Sequence, residues 1–223
     1  EPLSADIASD DCWHLISDQV QTEGWLREDG RIALLATSQT GSDHCFFQVR
    51  QIIPFLAGLQ GQLVLHASAV HVQGNVYAFI GESGAGKSTL VKALTVSGTI
   101  PVADDLLAVA CDHQNPVAFT AGTDLCPPQQ VPVCSILFLS RADNLDQPAL
   151  EQINSKQFLL LLFRHGFSEM SIHRLWKFQL ELYGRLAKEV TAFNLVMPDS
   201  LALLPEAASQ LCLQLRSLKR ESA

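Results

Sequence analysis

One run constrains this chain more than any other: Gly81-Glu82-Ser83-Gly84-Ala85-Gly86-Lys87-Ser88. It fits G-x-x-x-x-G-K-[ST] at every fixed position. An apolar, strand-like run over 76–80 leads in, and a helix-like run over 87–96 leads out. A strand must deliver such a loop and a helix must receive it. The glycines let the backbone wrap an anion, because they lack a Cβ and tolerate positive φ. The start of the following helix offers free N–H groups and a partial positive charge. The expected ligand is the phosphate chain of a nucleotide, with ATP and Mg²⁺ as cofactors. Gly81 to Ser88, with Thr89, would line the phosphates. Lys87 would reach the β- and γ-phosphates, and the Ser88 hydroxyl would bind Mg²⁺.

Charge has to be local for this to work. The 223-residue chain carries a formal net charge of −8, so one lysine and the backbone dipoles must hold the phosphates. A basic footprint for nucleic acid is missing, and nucleic acid is not expected as a partner. The longest purely apolar run, 158–163, is far too short to span a bilayer, so no membrane partner is expected either. Six cysteines stand at 12, 45, 111, 126, 134 and 212, with no C-x-x-C pair. Reduced thiols in a cytoplasmic protein are the expectation. His44 and Cys45 are adjacent and are not spaced to chelate zinc. No signal peptide is visible in the chain as it stands.

The organisation reads as α/β. Residues 1–45 look like a small β-rich extension, with apolar runs at 12–16 and 32–36. Gly24, Glu28-Asp29-Gly30 and Thr40-Gly41-Ser42 punctuate it as turns. Residues 46–223 would form the main domain. It begins with a helix over 46–59, interrupted at Pro54. Strands are expected at 62–66, 69–72 and 76–80, then the helix 87–96, closed near Gly98. Further strands follow at 99–103 and 106–110. The polar, proline-containing stretch 112–132 should hold a strand near 117–119 and then a mobile loop. A buried strand at 133–139 comes next. Helices at 148–164 and 171–190, a strand at 191–196 and a helix at 200–218 complete the reading.

A second constellation lies at Asp104 and Asp105, 16 and 17 residues after Ser88 and at the end of an apolar strand. Strand, phosphate loop, helix and returning strand make one βαβ unit. Its parallel strands end on the edge where the phosphates sit. A carboxylate there can hold Mg²⁺ or take a proton from an attacking hydroxyl. Neighbours within a strand point to opposite faces, so the two share one task only if the strand has already ended. His66 closes the strand 62–65. A hairpin histidine with a satisfied hydrogen bond and an imidazole that tunes a carboxylate are equal readings of it.

Together, His66-Ala67-Ser68-Ala69-Val70, the loop Gly81 to Ser88, and Val102-Ala103-Asp104-Asp105 resemble the catalytic core of the HPr kinase/phosphorylase family. The resemblance is specific over about 60–110 and loose over 133–215, where Leu203-Leu204-Pro205-Glu206-Ala207 is the familiar phrase. The chain looks closest to the HPr-kinase-related proteins encoded beside lasso-peptide and similar modified-peptide genes. Some of these phosphorylate a serine on a precursor peptide. The resemblance implies a P-loop-containing, HPr kinase-like fold with a mixed central sheet, flanking helices and a small β-rich N-terminal part. It implies Asp104 as general base, Asp105 as a Mg²⁺ holder and His66 as a partner of Asp104. It also implies a peptide or protein substrate with an acceptor serine, and homo-oligomers by analogy. Thr89 stands where bifunctional members usually carry glutamate, and their glycine- and isoleucine-rich signature is missing. Both departures argue against phosphorylase activity and against HPr as substrate.

The expected function is therefore ATP-dependent transfer of the γ-phosphoryl group to a serine hydroxyl. A small-molecule kinase of the shikimate or nucleoside type is the alternative. Against it stand about 80 residues before the loop and the lack of a tight arginine cluster after it. A P-loop ATPase switch with no phosphoryl acceptor is a third reading. Arg141, Arg164 and Arg174 are candidates to assist the phosphates, and the sequence assigns none of them.

Overall fold

Short apolar runs separated by turn residues open the chain, and they fold as strands. The computed structural model describes residues 4–9, 12–17, 22–27, 32–35, 57–58, 61–112, 115–120, 129–165 and 173–218. Its contacts divide the chain into two units, Glu1–Val64 with Phe167–Leu182 and Leu65–Gly166 with Tyr183–Ala223.

In the first unit, β1 (Ser4–Ser9), β2 (Cys12–Ser17), β3 (Thr22–Arg27) and β4 (Ile32–Leu35) form an antiparallel sheet in the order β1-β2-β3-β4. Gly24 is no turn. It sits inside β3, opposite Leu15 on one side and Leu34 on the other. The expected turns at 28–30 and 40–42 lie outside the described residues. So does the helix 46–59, apart from the helical pair 57–58.

The second unit carries the larger sheet. Its strands are β5 (Gln62–Val72, entering from the first unit), β6 (Asn75–Ile80), β7 (Ile100–Ala103), β8 (Leu106–Asp112), β9 (Asn115–Thr120), β10 (Gln129–Ala142), β11 (Ala149–Ile153) and β12 (Thr191–Pro198). The order is β11-β12-β10-β6-β5-β8-β9, with β7 also paired to β5 and β9 also paired to β10. The sheet is mixed: β6, β10 and β12 run parallel, and β5 runs antiparallel to both β6 and β7. Its helices are α1 (Lys87–Val96), α2 (Ser155–His165), α3 (His173–Glu189), whose residues from Tyr183 on belong to this unit, and α4 (Leu204–Ser217). No helix among the described residues is long and apolar enough to cross a membrane.

Several expected boundaries shift, each for a local reason. The strands expected at 62–66 and 69–72 are one strand, so His66 lies in mid-strand and not at an end. No glycine or proline separates the two halves. The strand expected at 133–139 extends over Gln129–Ala142. Its first residues pair with β9, up to Pro132 opposite Val117, and the rest pair with β6 and β12. Pro132 falls where the partners change, a place that tolerates a missing N–H. Of the expected loop 120–132, residues 121–128 lie outside the described residues.

The helix expected at 148–164 is a strand followed by a helix. β11 pairs antiparallel with β12 and covers its edge. Asn154 then starts α2: the Gln157 N–H donates to Asn154 Oδ1 at 3.0 Å, and the Asn154 N–H donates to Gln157 Oε1 at 3.1 Å. That reciprocal pair is a capping box. Likewise α4 begins at Leu204, with Pro205 in its first turn, and not at 200.

The core explains the apolar run of β10. Successive residues point to opposite faces. Leu137 and Leu139 join Tyr77 and Phe79 of β6, Leu90 and Leu94 of α1, and Leu211 and Leu215 of α4 in one cluster. Phe138 points the other way and meets Phe158 of α2 edge-on, 5.8 Å between ring centres. Both faces of β10 are covered, as its unbroken hydrophobicity requires. Each large side chain buried this way contributes about 1.5–3 kcal/mol.

Candidate functional site

The loop between β6 and α1 sits at the carboxyl edge of the parallel strands. Phe138 of β10 is in register with Ile80, so Leu139 runs beside Gly81. A Cβ on Gly81 would lie 2.7 Å from the Leu139 carbonyl oxygen, and only glycine permits that approach. Further on, Gly84 and Gly86 take φ of +83° and +90°, and the Ala85 N–H donates to Glu82 O at 3.1 Å. Gly86 is the N-cap of α1 and contributes no side-chain cap. The Leu90 N–H closes the first turn on Gly86 O at 2.9 Å. The N–H groups just inside that helix start have no intrahelical acceptor, which suits them to an anion.

Lys87 turns back over this loop. Its ammonium donates to Gly81 O at 2.8 Å and to Glu82 O at 3.2 Å, and the residue is 8% exposed. Burial lowers its pKa below the ordinary lysine value. The negative charges of Asp105, then Glu82, then Asp104 oppose that shift.

Asp104 and Asp105 follow β7. The strand arrives as expected, running parallel to β6, but not as its neighbour: β5 lies between them and pairs antiparallel with each. The parallel crossover through α1 is present, with β5 inserted between its two strands, and both carboxyl ends reach the same edge. Asp104 Oδ1 accepts two hydroxyls, from Ser68 at 3.1 Å and from Ser88. Asp105 accepts from His66 Nε2, at 2.9 Å between Nε2 and Oδ1, with each side chain 33% exposed. The resemblance implied His66 against Asp104. Here the histidine meets Asp105, and serines meet Asp104.

Asp105 takes φ of +100°, a conformation that costs a non-glycine residue about 1–3 kcal/mol. Its carbonyl is held by the Ala67 N–H at 3.1 Å. The strained turn throws two consecutive carboxylates toward different partners at one edge, which a continuing strand does not do.

Sequence reasoning gave no role to Ser68 or His165 and assigned none among the three candidate arginines. Ser68, 1% exposed, stands two residues after His66 on β5. The two-residue strand repeat places both on one face, a signal that was present. Arg141, at the end of β10, donates through Nε to Ala85 O at 2.9 Å and through a terminal nitrogen to Asp199 Oδ1 at 3.1 Å. Its guanidinium packs so closely on Gly86 that a Cβ there would meet it at 1.8 Å. Arg164 pairs with Glu82 at 3.1 Å in a largely exposed contact, which contributes little on its own. The side chain of Arg174 lies outside the described residues. His165 ends α2 with its ring 6.0 Å from that of Phe138. Burial holds its pKa below the ordinary histidine value. Glu82 opposes the shift, and the positive charges of Arg164, Lys87 and His66 add to it.

The donor set fits a nucleotide triphosphate with a hard divalent cation. Backbone N–H groups and one ammonium could hold the phosphates. A hydroxyl and a carboxylate stand side by side as oxygen ligands. Among the described residues no cluster of three or more His, Cys, Asp or Glu stands ready to hold an ion. A cation here would need phosphate oxygens to complete its shell, the usual habit of Mg²⁺.

No protein-family model matches the chain, and no curated protein matches it. Among solved structures it is similar to the HPr(Ser) kinase/phosphatase from Coxiella burnetii, with 13% sequence identity and a TM-score of 0.38. That match covers 69% of this chain and 97% of the other. A likeness so slight carries no function across.

Proposed function

We propose that this chain is an ATP-dependent phosphotransferase that moves the γ-phosphoryl group to a serine hydroxyl of a peptide or protein. The observation that carries the reading is the convergence of Lys87, Ser88, Asp104 and Asp105 at one sheet edge, with both carboxylates held by side chains from other elements. The acceptor class rests on the family resemblance of residues 60–110. By that resemblance the substrate is a precursor peptide in modified-peptide biosynthesis. We place the activity in the cytoplasm, where the buried thiols of Cys134 and Cys212 stay reduced.

The chemistry is mainly positioning and charge neutralisation. The loop N–H groups and Lys87 bind the phosphate oxygens. Mg²⁺, when bound, neutralises charge on the β- and γ-phosphates. Geometry favours exchanging the two aspartate roles that the resemblance implied. Asp104 shares the Ser88 hydroxyl and so belongs beside the cation. Asp105 is left for the proton, and His66 orients it. It takes the proton from the serine hydroxyl while that oxygen bonds to the γ-phosphorus and the bond to the β–γ bridging oxygen breaks.

The test uses γ-labelled ATP, Mg²⁺ and a panel of serine-containing precursor peptides, with shikimate and nucleosides as small-molecule acceptors. Label should appear on a peptide serine. Asp105→Asn should keep nucleotide affinity and lose transfer, by about 10²–10⁴-fold for a general base. Asp104→Asn should raise the Mg²⁺ requirement. The opposite pattern restores Asp104 as base. Acceptor-independent hydrolysis at full rate would defeat the kinase reading.

A further inference from the structure

Resting on the nucleotide reading above, we propose that Arg141 is the positioning residue of the phosphate loop. Its Nε–H pins the Ala85 carbonyl, which leaves the next N–H, that of Gly86, turned to the phosphates. Arg141 acts through this one peptide unit and not through its own charge.

Strand register brings Arg141 to the loop. Phe138 of β10 is paired with Ile80, the last residue of β6. β10 then runs on to Ala142, so Arg141 stands beyond the end of β6, where the chain has already turned into the loop. Its Nε donates to Ala85 O at 2.9 Å. A terminal nitrogen donates to Asp199 Oδ1 at 3.1 Å. The Asp199 N–H donates in turn to Ala142 O at 3.1 Å, which ties that carboxylate back to the end of β10. The guanidinium is therefore held on two sides, by the loop and by Asp199.

A peptide unit is planar and trans, so its C=O and N–H point in opposite directions. With the Ala85 carbonyl on Arg141, the Gly86 N–H points away from Arg141. That N–H belongs to the N-cap of α1 and has no intrahelical acceptor. The Ala85 N–H is already used on Glu82 O at 3.1 Å. At this corner of the loop the donor that matters is therefore the one whose direction Arg141 sets.

Glycine makes such a peptide easy to turn over. Gly86 takes φ of +90°, and a residue without a Cβ takes negative φ about as readily. Turning the Ala85–Gly86 unit over would put a carbonyl oxygen where the N–H had been, and that oxygen repels phosphate. Arg141 opposes the turn in two ways. It holds the carbonyl, and its guanidinium is seated where a Cβ on Gly86 would lie. A loop fixed in its binding conformation before the ligand arrives binds more tightly. The charge of Arg141 is paired with Asp199, which blunts its pull on a phosphate.

The experiment is calorimetric titration of the full chain with the Mg²⁺ complexes of ATP and of inorganic tripolyphosphate. Wild type and three variants are compared, each first melted without ligand to check its fold. Arg141→Gln places an uncharged N–H as many bonds from Cα as the arginine Nε. Arg141→Lys keeps the charge but has carbon at that place, and Arg141→Met has carbon there and no charge. Arg141→Met and Arg141→Lys should each weaken both ligands roughly 10- to 100-fold, for one hydrogen bond to a charged group. Arg141→Gln should bind both within about threefold of wild type, because it keeps the donor to Ala85 O. Rescue by Arg141→Lys and not by Arg141→Gln would overturn the proposal and give the role to the charge. Full affinity in Arg141→Met would also overturn it, as would a folded Arg141→Gln no better than Arg141→Lys. So would a loss confined to ATP, since tripolyphosphate has no nucleoside. Should Arg141→Met not fold, Arg141→Gln against Arg141→Lys decides alone. Wild type failing to bind either ligand would instead bring down the phosphate-loop reading, and the role of Arg141 with it.

Discussion

Ser68 shows how much one buried hydroxyl can do. It is 1% exposed and donates to a carboxylate whose other partner is Ser88. Two hydroxyls on the same Oδ1 fix the rotation of Asp104, and in the proposed reading the second oxygen would serve the cation. A hydrogen bond to a charged group contributes about 1.5–3 kcal/mol. Ser68→Ala should therefore lower the transfer rate roughly 10- to 100-fold, with the affinity for metal-free ATP unchanged. Ser68→Thr, which keeps the hydroxyl, should recover part of the rate. A variant that melts earlier but transfers at the full rate per folded molecule would reduce Ser68 to a structural role. Its neighbour in the site, Asp105, makes the complementary point. Its positive φ stores strain that the His66 pair and the Ala67 N–H offset, and no residue pattern announces that strain beforehand.

Elements are held to one another by a few directed contacts laid over the apolar packing. The clearest joins β6 to the end of α4. The buried Tyr77 hydroxyl donates toward Leu215 O at 2.8 Å and Leu218 O at 3.0 Å, two of the carbonyls a helix end leaves without partners. Desolvation keeps this phenol neutral well above its ordinary range, and Cys134 adds to the effect. Tyr77→Phe keeps the ring and strands those carbonyls. The cost should be about 1–3 kcal/mol, read as a fall in Tm of roughly 2–4 °C for each kcal/mol in a chain of this size. An unchanged Tm in a circular-dichroism melt would show that water replaces the phenol without loss. Sequence was informative about such elements where apolar period and punctuation agreed. The helix Lys87–Val96 falls where glycine and the apolar spacing put it. It misled at Ala149–Ile153, where Ala, Leu, Glu and Gln favour a helix locally. There the edge of β12 takes the segment as a strand, and only the Asn154–Gln157 capping box marks where the helix begins.

At the scale of the whole molecule, the site is a property of strand direction more than of strand adjacency. Counting residues from the phosphate loop to the acidic pair gave the correct edge, because β7 does run with β6. It was silent on adjacency, because nothing in the spacing reveals that β5 enters between them. The same insertion brings His66 and Ser68 to the carboxylates, since β5 borders both strands. Groups drawn from β5, the loop, α1, β7 and β10 meet only in the folded state, so a ligand that needs them together binds that state and not the unfolded chain. It must then stabilise the protein by mass action, by about 2.7 kcal/mol at a concentration one hundred times its Kd. Saturating MgATP should raise Tm by roughly 5–10 °C at the conversion used above. Lys87→Ala should remove most of the shift, because the buried ammonium is the only side-chain cation among the loop residues Gly81 to Thr89. An equal shift in wild type and Lys87→Ala would mean that the nucleotide binds somewhere other than this edge. No shift in either, at millimolar MgATP, would mean that the loop is a phosphate cradle in shape alone.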